Sequence, residues 1–299
     1  MGDLAFWLNK IAKLKIDRAH GDPAPHKPLL LLVVLDLAEQ NELPEILSLS
    51  SELAFRFYTY WSIVASRRSQ RPDIRLPFHH LQTDGFWSAV DKRGYPSPDK
   101  KLTHFARLSS DFYQLTKDPG SRDKLRHILI ATYFRPSEQI ALSEAVGLPA
   151  PSKSKIEQKA TYETSNDAKK VGREARFRLN VVAAYNYTCA LTGYRLTNIM
   201  AGSIVDAAHI HKFADSRNND PRNGIALCKN AHWSFDYGLW TVSDDYRIIV
   251  AVGKFKEESP NGRSLMEYHD QKLRLPSDLS LWPNPLHLAW HRQNKFLGI

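Results

Sequence analysis

Between Asp206 and Asp236 the chain reads DAAHIHKFADSRNNDPRNGIALCKNAHWSFD. His209, Asn223 and His232 stand in it with gaps of 14 and 9 residues. An imidazole ionises near neutrality, so it can take a proton from water, hold a divalent metal, or simply pack. A single histidine more often packs or faces solvent, an asparagine before glycine is more often a turn residue, and His232 beside Trp233 could stack in a core. Residue type alone leaves cutting, metal clamping and packing all open.

The elements that must position these residues can be read around them. IVDAAHI is strand-like, and Asp206 and His209, three apart, would face opposite sides of a perfect strand. A strand end at His209 lets both border one site. NNDPRNG is turn chemistry, and the apolar strand IALC follows it. Asn230 to Tyr237 reads as a short helix on which His232 and Asp236, four apart, lie one above the other. Nitrogen and oxygen donors on one helix face can hold a divalent cation. Cys189 and Cys228 each lack the second cysteine of a CxxC, with Thr192 and Ala231 in that place. They read as buried thiols rather than as part of a four-ligand zinc site.

Order and spacing together make DAAHI plus NGIALCKNAHWSFD, with CALTG at Cys189 as lead-in, similar to the HNH endonuclease family. The resemblance covers residues 171 to 299, including the closing PLHLAWHRQNKF helix. It implies a ββα-metal fold, a strand hairpin followed by a helix. It implies the catalytic set His209, Asn223 and His232: His209 as general base, Asn223 holding the base-bearing loop through backbone hydrogen bonds, and His232 as metal ligand. Asp206 and Asp236 complete the implied ligand set for one divalent ion, Mg²⁺ or Mn²⁺ or another transition metal. Many relatives carry a ligand directly before the base. Here that position is Ala208, and Asp206 shares its strand face.

The rest of the 299 residues bounds the setting. The length suits two domains, and 42% hydrophobic with 24% charged residues is a globular composition. A net charge of +9 favours a polyanion, nucleic acid first, although charge alone fits a merely basic protein equally well. Two cysteines imply no disulfide framework and fit a reducing cytoplasm. The N-terminus has no signal-peptide core, and PLLLLVVLDLA is too short to span a bilayer, so no membrane partner is expected.

A Lys-, Ser- and Pro-rich stretch divides the chain. We expect an α+β protein: a mainly α-helical DNA-recognition domain at 1–148, a linker at 149–166, and the nuclease domain at 167–299. In the first half helices are expected over 2–16, 27–40, 50–65, 99–106, 109–115 and 121–134, with a hairpin at 76–87. In the second, strands are expected at 188–191, 204–210, 224–228, 239–242 and 247–250. The basic helix AKKVGREARFRLN offers Arg173, Arg176 and Arg178 to phosphates, although a solvated helix face fits nearly as well.

A nuclease module needs a reader. PHKPLLLL puts a His-Lys pair at the start of an apolar helix, and IRLPFHHLQTDGFW interleaves cations with aromatic residues and proline. Alone, these are a helix start and core packing. Beside an HNH domain they resemble the sulfur-binding domain of modification-dependent restriction enzymes, which reads phosphorothioate DNA. The resemblance implies pocket positions His26, Lys27, Pro77 and His80. Lys27 stands where some members have Arg, and Leu76 where an aromatic can occur. The function expected is a restriction-type endonuclease acting on phosphorothioated double-stranded DNA. Cutting both strands needs two sites or two events, which a homodimer would supply. The alternatives are an HNH enzyme reading methylated bases, and a non-catalytic DNA-binding protein with a relic nuclease fold.

Overall fold

The structure is a computed structural model that describes residues 3–19, 21–65, 71–149, 162–259 and 262–298. It divides into two compact units, Met1–Arg176 with Asn198–Gly202, and Phe177–Thr197 with Ser203–Ile299. Of the expected linker, residues 150–161 lie outside the described residues, and a helix begins at Tyr162. The architecture is α+β. Among the described residues no helix is long and apolar enough to cross a membrane.

The first unit is built around α2 (His26–Glu39), after α1 (Leu4–Ala12). Every α2 residue from Lys27 to Ala38 is buried, because HKPLLLLVVLDLAE is apolar all round rather than on one stripe. Around α2 pack α3 (Ser51–Ile63), α4 (Arg75–His80), α5 (Ser110–Lys117) and α6 (Pro119–Tyr133). Asp36, inside α2, accepts hydrogen bonds from Arg126 (2.8 Å) and the Tyr60 hydroxyl. Burial raises the Asp36 carboxyl despite the Arg126 charge.

A three-stranded antiparallel sheet completes this unit: β1 (Ile46–Ser48), β2 (Trp87–Val90) and β3 (Phe105–Leu108), in the order β1-β3-β2. Two expectations fail here. Residues 99–106 are not helical. Asp99 Oδ1 accepts from the backbone N–H of Lys101 and Leu102, closing a turn, and Ala106 pairs with both Leu47 and Ala89. Residues 76–87 are not a hairpin. Asp73 accepts from the Arg75 N–H and starts α4, which runs through a 3₁₀ turn to Gly85 at φ +76°. The sequence reading also missed α7 (Pro136–Ala145), opened by Pro136 and by the Glu138 carboxylate on the Arg135 N–H.

The long helix α8 (Tyr162–Ala184) carries the chain from one unit to the other. In the second unit, residues 188–191 form a turn rather than a strand, closed by Gly193 N–H on the Cys189 carbonyl at 2.9 Å. The core of this unit is a hairpin of β4 (Val205–His209) and β5 (Gly224–Cys228), followed directly by α10 (Lys229–Asp236); between the strands lies the short helix α9 (Phe213–Ser216). The antiparallel register sets His209 opposite Gly224 and Asp206 opposite Leu227. Val205, Ala208, Ile225, Ala226, Leu227 and Phe235 are buried, so both faces of the hairpin are covered. A second hairpin, β6 (Trp240–Val242) with β7 (Ile248–Val250), and the closing helix α11 (Pro285–Asn294) finish the unit.

Candidate active site

His209 is the last residue of β4, so its backbone leaves the sheet where its side chain is needed. Its ring stacks on Phe177 of α8, with centroids 3.9 Å apart and planes at 9°. Gly224, across the hairpin, makes room for this. A Cβ there would lie 2.5 Å from Val181 Cγ2 and 2.8 Å from Phe177 Cζ. His209 Nε2 lies 2.8 Å from Asn219 Oδ1. Phe177 and Asn219 were not among the expected site residues. NNDPRNG marks a turn, and nothing local in it shows which asparagine meets the ring.

Asn223 is fully buried, and its amide is used up on backbone. Its Oδ1 accepts from the His211 N–H (2.9 Å), while Nδ2 donates to the carbonyls of His211 (2.9 Å) and Asn218 (3.0 Å). These bonds tie the two ends of the 211–218 loop together beneath His209. His211 stacks on Trp290 of α11 at 3.9 Å, and His287 Nε2 lies 3.2 Å from Asn218 Nδ2. The closing helix thus buttresses the loop.

On α10, His232 Nε2 and Asp236 Oδ2 are 3.4 Å apart across one turn. Asp206 does not stand open. Arg178 Nε lies 2.9 Å from its Oδ1, and Lys229 Nζ lies 3.2 Å from its Oδ2. Burial would raise the Asp206 carboxyl, but Arg178 and Lys229 outweigh it and hold it below the usual carboxylate range. Lys229 is one turn before His232, so Asp206 reaches the same side of α10. Ala208 is fully buried and can offer no ligand.

Among the described residues no three His, Cys, Asp or Glu side chains converge on one point. The donors present do not form a closed tetrahedral zinc cage. His232 and Asp236, a nitrogen and an oxygen donor 3.4 Å apart, are of the types that hold a divalent cation when water fills the other positions.

The three arginines of α8 do not form one stripe. At about 100° per residue, Arg176 and Arg178 point roughly 160° apart. Arg178 meets Asp206, whereas the Arg176 guanidinium lies over Gly147, where a Cβ would be 2.5 Å from it. Arg173 is half-buried.

The first unit holds a cavity of 680 Å³ between the start of α2 and α4. His26, Lys27, Pro77 and His80 all line it, with Leu76, Lys15 and Arg71. The His26 ring packs on Trp61 (4.7 Å), and its Nε2 donates to the Arg71 carbonyl (2.9 Å). Burial lowers the pKa of His26, and burial with Lys27 and Lys100 lowers that of His80. Both imidazoles are therefore neutral at neutral pH, and since the one N–H of His26 is given to Arg71, its other nitrogen can only accept. His79 instead turns inward to Thr103 (2.8 Å). Lys27 reaches the wall but spends its protons inside: on the Lys15 carbonyl (2.7 Å), Thr83 Oγ1 (3.0 Å) and Asp84 Oδ2 (2.7 Å). The expectation that Lys27 contacts DNA meets this obstacle, since an ammonium has three protons to give. The cavity's remaining cations are Lys15 and Arg71.

Comparison with known proteins matches residues 189–243 to the HNH endonuclease family, and residues 5–151 to the ScoMcrA-like DNA sulfur-binding domain family. The chain joins a region that matches the DNA sulfur-binding domain family to one that matches the HNH endonuclease family. No curated protein matches it. Among solved structures, it is similar to the modification-dependent TagI restriction endonuclease at 20% identity and a TM-score of 0.30, over 40% of this chain and 37% of that one. It is also similar to the sulfur-binding domain of SprMcrA complexed with phosphorothioated DNA, at 20% identity and a TM-score of 0.40, over 49% of this chain and 94% of that one.

Proposed function

We propose that this two-domain protein is a restriction-type endonuclease that binds double-stranded DNA at a backbone phosphorothioate and hydrolyses a phosphodiester bond nearby. The observation that carries the reading is the placing of His209 at the end of β4, stacked on Phe177, on the hairpin that leads into the helix bearing His232 and Asp236.

His209 takes the proton from the attacking water, and the phosphorus–oxygen bond to the leaving 3′ oxygen breaks. General-base help of this kind is worth about 10²- to 10⁴-fold. His232, with Asp206 or Asp236, would hold a divalent metal, which when bound offsets the charge growing on the phosphate and the leaving oxygen. Asn223 keeps the base-bearing loop closed.

The recognition cavity suits sulfur for a physical reason. Pro77, Leu76 and the face of the His26 ring give a weakly polar surface for a large, weakly solvated atom, and the neutral His80 donates to the remaining phosphate charge beside Lys15 and Arg71. Arg173 and Arg176 add sequence-independent attraction to the backbone. A cytoplasmic location and a homodimer that cuts both strands belong to the same reading.

The test compares matched duplexes with and without one backbone sulfur, with Mg²⁺ or Mn²⁺, for the wild type and His209→Ala. Wild type should cut the sulfur-bearing duplex and His209→Ala should not. Equal cutting of both duplexes would remove the phosphorothioate reading. Failure of wild type to cut either would remove the nuclease reading.

A further inference from the structure

The second unit holds a cavity of 640 Å³ whose lining includes none of His209, Asn223, His232, Asp206 and Asp236. We propose that it takes an unstacked nucleobase of the strand being cut, a few nucleotides from the scissile bond. The proposal rests on the nuclease reading and deepens it by naming what the site asks of its DNA.

One wall is α10. Asn230, Trp233 and Ser234, at i, i+3 and i+4, line the cavity along one helix face. At about 100° per residue, that face is turned roughly 120° from the stripe that carries Lys229, His232 and Asp236. The cavity and that stripe are therefore neighbours across a helix about 10 Å thick. Stacked nucleotides advance about 3.4 Å along a strand, so a base that reaches the cavity lies about one to three nucleotides from the bond.

The lining has what a single base requires. Trp233 is 59% exposed and Tyr194 49%, and Phe255, from the segment after β7, adds a third ring. Every base has a flat π-face that stacks on such rings. An asparagine amide can both donate to and accept from a base edge, and the exposed Asn230 brings one to the wall. The charged lining is mainly cationic. Lys256 is exposed, and the Arg263 guanidinium lies over the Tyr268 ring at 4.8 Å. Against them stands the Glu257 carboxylate, one oxygen of which accepts from the Leu265 N–H at 2.8 Å. This balance suits a base that carries a phosphate and opposes a cationic ligand. A base in a duplex must leave the stack to enter, at a cost that falls when it is mispaired.

The experiment uses the full-length protein as wild type, Trp233→Ala, Trp233→Phe and Phe255→Ala. The bond cut in a phosphorothioated duplex with Mn²⁺ is mapped first. Single mismatches are then placed in turn on either side of it, and kcat/KM is read for each duplex. Wild type should cut several-fold faster when the mismatch frees one particular base within about three positions of the bond. Trp233→Ala should lower kcat/KM on the paired duplex by about 5- to 100-fold, the effect of losing one base stack, and should lose the preference for that mismatch. Trp233→Phe should keep both. A merely structural role for Trp233 would not move the dependence on mismatch position. Trp233 adjoins His232, so Phe255→Ala, on a different segment, should repeat the loss with Mn²⁺ affinity unchanged. It decides alone should circular dichroism show that Trp233→Ala does not fold.

Free 5′-mononucleotides form a second arm. Inhibition by them that Trp233→Ala abolishes, with no mismatch preference in wild type, would make the occupant a nucleotide from solution and overturn the proposal. Wild type that cuts without any mismatch preference, or both alanine variants cutting at the wild-type rate, would overturn it and leave the nuclease reading standing. Wild type that cuts neither plain nor sulfur-bearing duplex removes the nuclease reading, and this inference falls with it.

Discussion

Arg178 Nε and Asp206 Oδ1 are 2.9 Å apart, so the carboxylate expected to serve a metal is held by a cation from α8 and by a second, Lys229, from α10. Both cations keep Asp206 ionised, which a metal ligand requires, and both compete with the metal for it.

Removing the competitor tests this arrangement. Arg178→Met should tighten Mn²⁺ binding several-fold in isothermal titration calorimetry while slowing cleavage. Asp206→Asn should weaken Mn²⁺ binding by about tenfold or more, on the order of one lost ligand contact. Unchanged affinity in both variants would leave His232 and Asp236 as the metal-holding pair.

Lys27 should matter to stability before it matters to DNA. Its ammonium and the Asp84 carboxylate are both nearly excluded from water, at 8% and 4% exposure. Lys27→Met strands a buried carboxylate, a change that costs about 3–5 kcal/mol. Urea unfolding should show that loss. A variant of wild-type stability with weakened DNA binding would make Lys27 a phosphate contact instead.

Asn223→Ala removes three side-chain hydrogen bonds from a residue with no exposure and leaves backbone groups of His211 and Asn218 without those bonds. We expect a loss of about 3 kcal/mol by chemical denaturation, with a fall in nicking rate as the base-bearing loop opens.

His291 gives the nuclease unit an acid sensitivity. Its ring is stacked on Phe235 at 3.8 Å, and its nitrogens meet Thr241 Oγ1 and the Phe235 carbonyl. Burial pushes its pKa down to about 4. The unfolded chain takes up a proton near pH 6.5, while the folded one resists until about pH 4. The stability this neutral ring contributes is therefore complete above pH 6.5 and lost between the two values, about 3 kcal/mol in all. Melts at pH 7 and pH 4.5 should differ by most of that amount, and His291→Gln should flatten the difference.

Much of the candidate site's local structure was legible because it is local. Strand, turn, strand and helix follow one another within 31 residues, Asp206 to Asp236, and each announces itself by alternation, turn residues or four-residue spacing. The recognition half was read less well. Residues 99–106 looked helical in isolation, but Phe105 and Ala106 became strand because Leu47 and Ala89, both distant in the chain, flank Ala106. Local propensity is a weak preference that such pairing overrides.

The sequence by itself determined the order of chemical groups: an imidazole at a strand end, an amide before the returning strand, an imidazole and a carboxylate one helical turn apart. Only the tertiary structure decided what each group touches. Phe177 and Arg178 come to His209 and Asp206 from a helix about 30 residues away, and Asn219 rather than Asn223 meets the His209 ring. Lys27 finds Asp84 across 57 positions. Such contacts depend on how helices and loops pack, where a turn of 100° per residue sends neighbouring side chains to different partners, and no spacing within one segment encodes that.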